Sequence, residues 1–130
     1  MTDTVVIALP HFLPEAQRIA DYLKADLREY RTGIFADIFP SARRIIAVMS
    51  MGIVVRGIAP LVRDKWTDPS VVVVTPDFSY AIPLLGGHHG ANDLAKELAG
   101  LGLVPVISTA TEATGHDSVE AIARRVGCDI

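Results

Sequence analysis

Apolar residues fill four uninterrupted runs along the chain, at positions 5–9, 45–49, 71–74 and 104–107. Runs rich in Val and Ile with no polar alternation predict strands buried on both faces, as in parallel sheets covered by helices. Between the first two runs Ala16, Ile19, Ala20, Leu23 and Leu27 recur at helical spacing, which predicts a helix over 14–28. Pro14 suits its first turn, and Glu15 suits the positive end of its dipole. A second pattern over 92–99 places Ala95, Leu98 and Ala99 on one side and stops at Gly100. A third joins Val119, Ile122, Ala123 and Val126; Asp117 and Glu120 resemble a capping box at its start, and Gly127 closes it.

Strands alternating with helices predict an α/β fold, a three-layer α/β/α sandwich around a mostly parallel sheet. One connection breaks the alternation. Thr75-Pro76-Asp77-Phe78 reads as a turn, and residues 79–85 read as another strand, with too few residues between for a crossover helix. A local β-hairpin is expected there, with Pro83 at an edge or close to a strand end.

The length of 130 residues suits a single domain over 1–130. With 15 acidic against 12 basic residues the net charge is -3, and no basic stripe runs along the chain. Duplex nucleic acid is therefore not an expected partner. Cys128 is the lone cysteine, so neither an internal disulfide nor a Cys-based metal cage is expected. No apolar run approaches a membrane span, and Met1-Thr2-Asp3-Thr4 lacks the basic lead of a signal peptide. A cytoplasmic, membrane-free protein is the expectation.

Three junctions between strands and helices carry the candidate chemistry. In Leu85-Gly86-Gly87-His88-His89-Gly90-Ala91-Asn92-Asp93 the glycines allow close approach to the backbone, and two imidazoles offer bases that titrate near neutrality. The plainer reading is a tight turn with Asn92 as a helix cap. In Ser50-Met51-Gly52-Ile53-Val54-Val55-Arg56-Gly57, Arg56 lies about one turn beyond Gly52, where a helix dipole repels a cation unless an anion is present. A surface ion pair is the commoner fate of such an arginine. In Ser108-Thr109-Ala110-Thr111 the hydroxyls serve a polar ligand, or by default cap a helix. The ligand reading requires all three junctions to line one rim, the carboxyl edge of a parallel sheet, as a cradle for a bulky, multiply charged guest. Trp66 reads as packing, His11 as facing the same edge, and His116 as leading into a helix. The four histidines have no zinc-ligand spacing, and the loops of serine hydrolases, nucleotide triphosphatases and dinucleotide enzymes are absent.

The segments 52–61, Lys65 with 68–74, 82–95 and 105–111, in this order and spacing, resemble the CbiG family of cobalamin biosynthesis. The resemblance covers roughly the middle half of the chain, while residues 1–44 share only the general pattern. The chain departs from it at Gly90, alone between His89 and Ala91 where the usual bacterial form has two glycines. The resemblance also implies that the carboxyl-terminal domain of typical members, found alone as CobE-like proteins, is absent.

The implied activity is hydrolytic opening of the ring-A δ-lactone of cobalt-precorrin-5A, releasing acetaldehyde and giving cobalt-precorrin-5B. The cobalt arrives with the tetrapyrrole substrate, so no cofactor and no protein metal site are expected. His88 or His89 would act as general base, and backbone N–H groups over 87–91 as oxyanion donors. Gly52, Arg56, Gly86, Gly87, Gly90, Asn92, Thr109 and Thr111 would contact the substrate. The expected partners are the tetrapyrrole, a separate CobE-like protein and a second copy in a homodimer. The alternatives are a non-catalytic tetrapyrrole-binding module, one half of a two-chain hydrolase, or an α/β domain for another polyanion.

Overall fold

The computed structural model describes residues 3–110. In chain order these form β1 (Thr4–Ala8), α1 (Leu13–Leu23), β2 (Asp26–Glu29), α2 (Ile34–Ile38), β3 (Arg44–Val48), α3 (Met51–Ile58), β4 (Ser70–Val74), β5 (Tyr80–Leu85), α4 (Ala91–Glu97) and β6 (Val104–Pro105). One sheet has the strand order β2-β1-β3-β4-β5-β6, and all neighbours are parallel except β4 with β5.

Strand pleating sends successive side chains to opposite faces, and that alternation builds two cores. Val6, Ala8, Ile46, Val48, Val72 and Val74 pack with α1 and α4, whereas Val5, Ile7, Ile45, Ala47, Val71 and Val73 pack with α2 and α3. The three layers and the three central apolar strands are as expected.

The helix expected over 14–28 ends early. Lys24 adopts φ 55°, and its N–H and that of Ala25 turn back onto the Ala20 carbonyl. A left-handed residue with such returning bonds terminates a helix. Leu27 therefore lies on β2, a charged edge strand that no apolar run signals, where the inward pleat happens to continue the helical spacing. The short helix α2 also has no counterpart in the sequence reading. At the other edge β6 keeps only two residues of the run 104–107, and Val104 is 52% exposed, so this strand is not buried on both faces. The helical stripe 119–126, Thr111 and His116 lie outside the described residues.

The hairpin is present, and Val72 sits opposite Pro83. Strand β6 pairs only with Tyr80 and Ala81, so Pro83 occupies the half of β5 that β6 does not cover. Thr75 donates its hydroxyl to Asp77 Oδ1 at 2.7 Å, and the Ser79 N–H reaches the same oxygen. The Thr75 hydroxyl first, and Ser79 second, hold the Asp77 carboxyl below its ordinary pKa. A depressed folded pKa stabilises above the unfolded value, and that contribution is lost as pH falls through the folded one. Wild type is thus expected to lose its stability advantage over Asp77→Asn on acidification below about pH 4. Paired thermal melts between neutral and acidic pH check this, and a constant difference would refute it.

Candidate functional site

Buried polar side chains mark where a fold departs from simple packing. Among the described residues those buried are Thr4, Ser70 and Asn92, and all three lie toward the amino edge of the parallel strands. Thr4, Arg44 and Ser70 stand side by side at the starts of β1, β3 and β4. Arg44 Nε donates to Thr4 Oγ1 at 2.8 Å, and Ser70 Oγ donates to the His89 carbonyl at 2.9 Å. Asn92 Nδ2 donates to Thr109 Oγ1 at 3.1 Å, while its buried Oδ1 meets no partner among the described residues.

The glycine-histidine turn reaches this edge because β5 runs backwards. Leu85 pairs with Val71 near the start of β4, so the segment 86–90 lies over Ser70. Gly90 has φ +115°, and an added Cβ there would stand 3.1 Å from Ser70 Oγ. A Cβ on Gly87 would lie 2.8 Å from Thr109 Cγ2 and 3.3 Å from Asn92 Oδ1. The close approach that these glycines permit is therefore made by the protein itself, which locks the turn onto β4 and the Asn92–Thr109 pair. Within the turn, the N–H groups of His89 and Ala91 both donate to the Gly86 carbonyl. Those two backbone donors are not available for an oxyanion.

Two adjoining hollows flank the turn. One, of about 540 Å³, is lined by residues including Arg43, Arg44, Ser70, His89 and Gly90. The other, of about 450 Å³, adds Trp66 and Asp68 while sharing Arg43, Ser70 and His89. His88 shares the turn but is not among the lining residues of either hollow. The His89 ring stands edge-on to Trp66 with centroids 4.7 Å apart, and Lys65 Nζ lies 5.3 Å from the centre of the same indole. Trp66 is more than packing. It is a partly exposed wall against the imidazole.

The single rim expected for the three junctions is not what forms. Gly52 and Arg56 follow β3 at the carboxyl edge, beside a separate hollow lined by Tyr30, Thr32, Gly33, Ile53, Arg56 and Gly57. His11, after β1, shares that opposite edge. The strand-end rule for parallel sheets does not extend across a hairpin, because the antiparallel strand delivers its own carboxyl end to the other side. Gly86, Gly87, His88, His89, Gly90, Asn92 and Thr109 do come together, since β6 runs parallel to β5. The capping expectation for Asn92 is also overturned: it is buried in α4 and makes no cap bond there. Arg43, Arg44, Ser70 and Thr4 were missed by the sequence reading. The one signal was the pair of adjacent arginines just before the run 45–49.

Residues 33–112 match the family described as Cobalamin synthesis G N-terminal. The chain belongs to this family. It is 40% identical over 96 residues to a cobalt-precorrin-5A hydrolase of Priestia megaterium and 44% identical over 87 residues to that of Salmonella typhimurium. Those alignments cover 72% and 65% of this chain but 26% and 25% of the relatives, so the chain spans about a quarter of their length. Among solved structures it resembles a cobalamin biosynthesis protein G homolog from Sulfolobus solfataricus, with a TM-score of 0.70 and 29% identity over 92% of this chain and 38% of that one. The family's matched segment contains both arginines, the histidine turn and Thr109. Among the described residues no helix is long and apolar enough to cross a membrane, and no cluster of metal-ligating side chains occurs.

Proposed function

We propose that this chain carries out, in the cytoplasm, the hydrolytic step of cobalamin biosynthesis that converts cobalt-precorrin-5A to cobalt-precorrin-5B. The observation that carries the reading is His89, pinned through its carbonyl to buried Ser70 and facing two joined hollows in a member of this family. His89 takes a proton from water as the water oxygen attacks the lactone carbonyl. The tetrahedral oxyanion then collapses, the acyl C–O bond breaks, and the freed alkoxide takes a proton. The hydroxyl then gives up its proton as the bond between the two-carbon fragment and the macrocycle breaks, so that the fragment leaves as acetaldehyde while the ring retains the electron pair and takes up a proton. The sum is one water consumed and one acetaldehyde released. Of the remaining backbone donors of the turn, that of Gly90 belongs to a residue lining the hollow and faces the oxyanion, a contact worth about 3 kcal/mol. Cobalt is part of the substrate here and no resident cofactor is invoked. Gly86 and Thr109 act by shaping the turn.

The span of about a quarter of the curated relatives favours a second reading, in which the chain binds the tetrapyrrole and a CobE-like partner or a second copy completes the enzyme. Purified chain incubated with cobalt-precorrin-5A, with acetaldehyde measured by a coupled reductase assay, separates the two. Turnover by the chain alone is the expected result. Substrate binding without acetaldehyde, under conditions where a longer relative releases it, would reject catalysis and support the binding reading.

A further inference from the structure

Within an overall charge of -3, the amino edge brings Arg43 and Arg44 to the hollow beside His89, and Lys65 over the Trp66 ring that touches it. The carboxylates nearby, Asp3, Asp68 and Glu97, are engaged elsewhere or touch the arginines only loosely. Asp68 Oδ2 accepts the backbone N–H groups of Arg63 and Asp64, at 2.9 and 3.1 Å. Arg43 Nε lies 3.8 Å from Asp3, both side chains being well exposed, and Arg44 Nη1 lies 3.7 Å from Glu97. Exposed contacts this long contribute little and exchange readily.

The Arg44 guanidinium is nevertheless held in place from behind, whereas at Arg43 only the backbone is fixed. The Arg43 N–H donates to the Asp3 carbonyl and its own carbonyl accepts from Ser70, so its backbone is fixed between β1 and β4. The Nε of Arg44 is committed to buried Thr4, which restrains the plane of its fork and leaves its terminal N–H groups, among the described residues, with only the long contact to Glu97. A planar fork oriented in advance binds a carboxylate through paired hydrogen bonds, which a mobile ammonium does not reproduce. Arg43 lines both hollows and Arg44 one of them, in each case together with Ser70 and His89.

We propose that Arg43 and Arg44 are a carboxylate-recognition pair that holds acidic arms of the macrocycle so that its reacting edge lies at His89. This assignment rests on reading the amino edge as the substrate site, but its test does not require turnover. The probe is uroporphyrin, whose side arms all end in carboxylates, compared with its fully methylated ester by absorbance titration of the intact chain. Wild type should bind the acid at least tenfold more tightly than the ester. Arg43→Gln and Arg44→Gln should each weaken acid binding by roughly tenfold and leave ester binding unchanged, as expected for a hydrogen bond to a charged group. Arg44→Lys should recover only part of the loss, and Arg28→Gln, on the far edge strand, should match wild type. Circular dichroism confirms that each variant is folded. Equal affinity for acid and ester, or acid binding unaltered in both glutamine variants, would overturn the pair. If the arginine pattern holds while no acetaldehyde forms, the carboxylate site stands and the hydrolase reading alone fails.

Discussion

On the proposed hydrolase reading, replacing His89 by alanine is expected to lower acetaldehyde release by roughly 10²–10⁴-fold, the usual range for losing a positioned general base. His88→Ala has a markedly smaller effect, because His88 lines neither hollow. Single-turnover assays of both variants check the order, and an equal loss in both, or a larger one for His88→Ala, would refute the assignment. The same contact provides a readout without substrate. Trp66 is the single tryptophan of the chain and touches the His89 ring. An imidazole packed edge-on against an indole alters the environment of its emission. A Trp66 emission spectrum that shifts in His89→Gln and is preserved in His88→Gln would place the contact in solution. An unchanged spectrum in His89→Gln would deny it.

The second large effect concerns stability. Ile46 is 0% exposed at the centre of β3, between β1 and β4, with its side chain in the core beneath α1 and α4. Ile46→Ala should cost about 2–5 kcal/mol, through lost transfer energy and the cavity left behind. That is a large share of the roughly 5–15 kcal/mol that holds an ordinary domain together. Val104→Ala, on the exposed edge strand, should stay within about 0.5 kcal/mol. Urea denaturation of both variants measures the contrast. Comparable losses would mean that β6 is covered to the same degree as β3.

The glycine-histidine turn shows how far a local reading reaches. Its composition singles it out, because Gly90 at φ +115° needs a residue without Cβ and two imidazoles in a strand-to-helix turn are uncommon. Composition does not say which neighbours make that demand. Ser70, 20 residues from Gly90 by number (90 minus 70), meets it only because β4 and β5 pair antiparallel. Arg43 and Arg44 escaped notice for the same kind of reason. As a charged pair before a strand they read like any solvated pair, and Thr4 orients Arg44 only through the pairing of β1 with β3. Strand β2 was hidden because an edge strand carrying Asp26, Arg28 and Glu29 lacks the apolar run that marks a buried one.

Alone, the order of residues settled the class of fold, the three buried parallel strands and the reversal after Thr75, since each follows from local apolar periodicity and turn chemistry. The family resemblance was legible there too. The tertiary structure decided which loops share a rim. Direction along a sheet is a non-local property: one hairpin sends His89 to the amino edge beside Arg43 and Arg44, and leaves Arg56 on the opposite side.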